Sequence, residues 1–130
     1  VELMPETLAF VAAAIVFLWG VSHIMPTKKV VAGFGNISED NRHIITMEWV
    51  AEGLSFIFVA ALIVAVTWSG KTPEAAEDLV YRMSTGFLIT IGAWTAMTGA
   101  KTSGGGAIWF KMCPVVMSVA SGLLIAASLL

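Results

Sequence analysis

The chain has 130 residues, 58% of them hydrophobic and only 12% charged, with a mean hydropathy of +0.87. Soluble domains run near half apolar and a quarter charged, so this composition points to lipid as the solvent and excludes a disordered chain. One cysteine excludes an intrachain disulfide, and a net charge of −2 leaves no basic surface for nucleic acid.

Four apolar stretches follow in chain order, at residues 8–25, 44–68, 79–99 and 109–130. Each is close to the ~20 residues a helix needs to cross a ~30 Å hydrocarbon layer. The first lacks the basic flank and small-residue cleavage site of a signal peptide, since Glu2 and Glu6 precede it, and reads as a retained helix. Val1 in place of Met suggests that an initiator or short leader has been removed. Pro26 stops the first helix. A loop containing Gly33-Phe34-Gly35 leads to Ser38, a good N-cap, with Glu39 and Asp40 at the positive end of the second helix dipole. Ser69-Gly70 ends that helix, and Thr72-Pro73-Glu74 opens the third with Pro73 at its first position. Asp78 and Arg82, four residues apart, form a pair on one face. Gly104-Gly105-Gly106 reads as a linker, because no Gly-Lys-Ser/Thr follows to make a phosphate cradle.

The fold class expected is therefore all-α, an antiparallel up-down bundle of four transmembrane helices forming a single domain over residues 1–130. Lys28, Lys29, Arg42, Lys101 and Lys111 lie on one side, against Lys71 and Arg82 on the other. This asymmetry places the 26–43 and 100–108 loops in the cytoplasm, and both termini outside an inner or plasma membrane. In lipid, small residues and polar contacts hold helices together. Gly92, Ala96 and Ala100 form one such ridge, and Ser118, Gly122 and Ala126 another, facing neighbouring helices or a second copy. Trp19, Trp49, Trp68 and Trp109 fall near the membrane edges, whereas Trp94 reads as core.

A charged group inside a span costs about 2.5–3.5 kcal/mol near the centre, so each needs a partner or a cavity. Glu48 and Glu52 lie one turn apart, and Ser55 continues their stripe. Counted from Trp68 at 1.5 Å per residue, Glu52 is about 24 Å in and Glu48 about 30 Å. By the same arithmetic His23 is about 25 Å from Glu6, and Lys111 about 28 Å from Leu130. Three helices thus bring His23, Glu48, Glu52 and Lys111 to nearly one level, just inside the cytoplasmic boundary. The cluster is either a structural set of ion pairs or a site for a ligand or proton, with Glu52 the deeper and more telling carboxylate. His23, His43, Glu48 and Glu52 include metal-ligand types, but the Glu-x-x-His repeat of a di-iron bundle is missing, and no metal is expected. Cys113 has no Cys-x-x-Cys partner and reads as an inert thiol.

Gly20-Val21-Ser22-His23-Ile24-Met25-Pro26, the following loop with its Gly-Phe-Gly, and the four-span layout resemble the broad DoxX-like group of small membrane proteins. Some members of that group are subunits of membrane oxidoreductases that pass electrons to quinone, so the resemblance implies a subunit role; it supplies no catalytic residues to carry over. The leading expectation is a non-catalytic subunit or a lipid- or quinone-binding component, surrounded by membrane lipid and working as a homo-oligomer or in a larger complex. The alternative is a proton-coupled transporter or channel using Glu48 and Glu52, and a third reading is a membrane redox or metal enzyme. No motif specifies a cofactor; lipid and quinone are the candidates.

Overall fold

The computed structural model describes residues 4–104 and 106–130; the readings placed on Val1, Glu2 and Gly105 lie outside the described residues. Five helices follow one another: α1 (Pro5–Ile24), α2 (Thr27–Ala32), α3 (Glu39–Ser69), α4 (Glu74–Met97) and α5 (Ala107–Ala127). A single 3-10 turn, Gly99–Lys101, precedes α5, and no strand occurs among the described residues. Helices α1, α3 and α5 are long and apolar enough to cross a membrane. Their outer faces are apolar as well, with Leu18 62% and Phe58 67% exposed, a surface that water would not tolerate but lipid would. Helix α4 has 24 residues, and Ser84, Thr85, Gly86, Thr90, Gly92 and Thr95 dilute its apolar character.

The punctuation follows backbone chemistry. Ser38 accepts a hydrogen bond from the Asn41 amide at 3.2 Å and caps α3. Gly70 ends α3 at φ 56°, the left-handed conformation glycine adopts without a Cβ penalty. Pro73 sits one residue earlier than expected, as the N-cap of α4, because its ψ of 136° is extended. The loop expected before Ser38 contains the short helix α2, since Thr27, with its hydroxyl on the Ile24 carbonyl at 2.5 Å, restarts the helix immediately after Pro26.

Packing is unequal. Helix α1 rests mainly on α3 and α5, and α4 on α5, whereas α3 and α4 touch little. Gly20 and Gly53 set the α1–α3 crossing: a Cβ on Gly20 would come within 2.8 Å of the Gly53 carbonyl oxygen. Phe10 meets Trp68 at one end of this pair and His23 meets Trp49 at the other, so α1 and α3 run in opposite directions. Gly92 plays a similar part in α4, where a Cβ would lie 3.1 Å from Met117 Cβ of α5. The buried core is continuous, from Ala9, Ala12, Ala13 and Val16 of α1 through Phe56 and Ile63 of α3 to Leu88 of α4 and Met117, Ala120 and Leu124 of α5. At the end near Trp68, the Tyr81 hydroxyl lies 2.6 Å from Thr67 Oγ1 and donates to Glu77, tying the close of α3 to the start of α4.

One sequence expectation changes. Trp94 is not core but 63% exposed. The buried face of α4 runs through Tyr81, Thr85, Leu88 and Gly92, and a residue two beyond Gly92 points about 200° away. Of the two settings left open for the α5 ridge, Gly122 takes the outward one, where a Cβ would meet nothing within 4 Å, while Ser118 borders a cleft with Gly92, Ala93 and Ala96 of α4.

Candidate functional site

The glycine crossing places the polar residues. His23 lies one turn beyond Gly20 on α1, and Glu52 adjoins Gly53 on α3, so the close approach of the two backbones brings their side chains together. His23 Nε2 is 3.5 Å from Glu52 Oε2, within ion-pair range but without hydrogen-bond alignment. Their environments differ: the His23 side chain is 11% exposed and that of Glu52 38%. Trp49 stacks on the imidazole, with ring centroids 4.0 Å apart and planes 14° from parallel. Its indole N–H donates to the His23 carbonyl at 2.6 Å, serving one of the last-turn carbonyls that a helix end leaves without a partner. Phe56 and Phe110 add edge-on contacts to His23 and Trp49 respectively. Imidazole and carboxylate are thus held against an aromatic wall, with the carboxylate on the open side.

Of the four residues expected at one level, His23 and Glu52 meet. Glu48 is exposed and makes no ion pair among the described residues, and neither does Lys111. The reason for Lys111 is helical phase: Cys113 is the buried residue of that turn, so a side chain two residues earlier projects to the opposite face. Asp78 and Arg82 pair as expected, at 3.7 Å. His43 is exposed, and no group of three or more metal-ligating side chains occurs among the described residues. Cys113 is buried, its thiol 3.8 Å from Thr95 Oγ1.

The loose contact between α3 and α4 leaves a groove of about 520 Å³, walled by Leu54, Phe58, Val59 and Leu62 on one side and by Met83 and Phe87 on the other, with Ser55 and Ser84 among its lining. Residues 48, 52, 55, 59 and 62 recur at three- and four-residue spacing, so they share one face of α3. That face begins with two carboxylates and a hydroxyl and continues as the apolar wall of the groove. Sequence reasoning found Glu48, Glu52 and Ser55 but not their continuation into a groove. The signal available was the unbroken stripe of Val59 and Leu62 beyond them. Gly20 and Gly53 were likewise visible as small residues beside His23 and Glu52. No known protein family, curated protein or solved structure matches the chain.

Proposed function

We propose that the protein is a small integral membrane component, not itself an enzyme, that holds one lipid or quinone molecule between α3 and α4. The observation that carries this reading is the single face of α3 on which Glu48, Glu52 and Ser55 give way to the apolar groove beside Val59 and Leu62. An amphiphile has the same gradient: a polar head, then a long apolar chain. Binding sites for such molecules are mostly apolar with a few placed polar groups, which is the composition found here.

In this reading α4 is the fourth span, in keeping with the DoxX-like layout. Its hydroxyls reduce the penalty of crossing by bonding within the helix: Thr90 reaches the Gly86 carbonyl at 2.8 Å. The five-to-two basic asymmetry sets both termini outside and the 26–43 and 100–108 loops inside. The outward face of α5 at Gly122 suits a second copy or a larger complex, because small residues permit close helix approach.

Native mass spectrometry of the protein released from mild detergent tests the central reading. The expected result is one retained lipid or quinone, lost when Met83→Trp fills the groove from its exposed wall. Protein that carries no amphiphile, or carries it equally well with the groove filled, overturns the proposal.

A further inference from the structure

We infer that the molecule held between α3 and α4 is a phospholipid with a primary ammonium head of the ethanolamine type, its head on Glu48 and Glu52 and one acyl chain in the groove. This rests on the amphiphile-binding reading above and specifies its ligand. Charge complementarity carries it. Among the described residues the ion pairs are His23–Glu52 and Asp78–Arg82, so no lysine or arginine pairs with Glu48 or Glu52 on the α3 face that continues into the groove. Glu48 stands exposed one turn from Glu52, and Lys111 makes no ion pair with either. A carboxylate only accepts hydrogen bonds, so a head that donates them and carries positive charge is complementary. A head of net negative charge is repelled, and a quinone carbonyl, an acceptor only, gains no hydrogen bond from either carboxylate.

Depth and shape agree. Glu48 lies about 30 Å from the Trp68 edge, at the boundary of a ~30 Å hydrocarbon layer where head groups begin, and Glu52 lies about 6 Å beneath it. From there to Leu62 the α3 stripe runs about 15 Å, half that layer and the reach of one acyl chain. Apart from Ser55, Val59 and Ser84 the walls are large side chains, Leu54, Phe58, Leu62, Met83 and Phe87, whereas helices that dock in a membrane meet through small residues. A flexible chain fits such a slot and a helix of ~10 Å diameter does not.

The test equilibrates the delipidated full-length protein with equal amounts of phosphatidylethanolamine and phosphatidylglycerol of identical acyl chains, and reads bound lipid by native mass spectrometry. Wild-type protein should carry the ethanolamine lipid at least about fivefold over the glycerol lipid, the ratio that corresponds to about 1 kcal/mol. Glu48→Gln, at an exposed position that no core contact depends on, should lower the ratio, and Glu48→Gln with Glu52→Gln should bring it near one. Circular dichroism of each variant confirms that helix content is retained. A ratio near one in the wild type, a glycerol-lipid preference, or an ethanolamine preference that survives both substitutions overturns this inference while leaving amphiphile binding intact. No bound lipid of either kind overturns both.

Discussion

Glu52 and Glu48 differ in what surrounds them, and the difference predicts different consequences of the same substitution. Glu52 faces His23 at 3.5 Å beside a stacked Trp49, whereas Glu48 is exposed without a described partner. Glu52→Gln keeps the shape of the side chain, so helix content and thermal midpoint should change little while amphiphile retention falls several-fold. Glu48→Gln should reduce retention less. Thermal unfolding in detergent alongside lipid retention separates the two, and an equal or larger loss of retention at Glu48 contradicts the assignment. Trp49→Phe acts differently. It keeps an aromatic ring over His23 but removes the indole N–H that serves the His23 carbonyl, a loss of about 1 kcal/mol read as a lower thermal midpoint.

At the scale of the helices, the α1–α3 crossing is the part of the fold on which the site depends. Gly20→Leu drives a side chain into the Gly53 carbonyl and Phe56, so it should separate His23 from Glu52 and destabilise the protein by about 1–3 kcal/mol or more. Gly122→Leu sits in open space and should leave the thermal midpoint unchanged. On the proposed self-association it should lower the native mass measured by light scattering. Unchanged mass would remove that ridge as an interface. The helix order and most termini were legible in the sequence because Ser38, Gly70 and Pro73 act through local backbone chemistry. The common depth of His23 and Glu52 was legible too, but that these two of the four residues meet depends on the Gly20–Gly53 crossing. The directions of Trp94 and Lys111 were not legible, because depth along a helix says nothing of which neighbour occupies which face. The α3–α4 groove was hidden for a related reason: it is a gap left between helices, and a gap has no residues of its own.

For the molecule as a whole, the unequal packing divides its surface into regions with different chemistry. Much of the outside is apolar side chains suited to lipid; a strip of α5 around Gly122 is small and open; and an apolar groove lies between α3 and α4, on the face of α3 that carries Glu48 and Glu52. On the proposed orientation, Ser103→Cys should be shielded from an impermeant thiol reagent added to the outer side of intact cells, with labelling only after permeabilisation; labelling of intact cells would reverse the topology. The most direct measurement is photo-crosslinking of the native full-length protein with an amphiphile carrying a diazirine midway along its chain, followed by peptide mapping. Labels concentrated on residues 54–62 of α3 and 83–87 of α4, and displaced by unlabelled lipid, are the expected result. Labels spread evenly over the outer faces of α1, α3, α4 and α5 would contradict it.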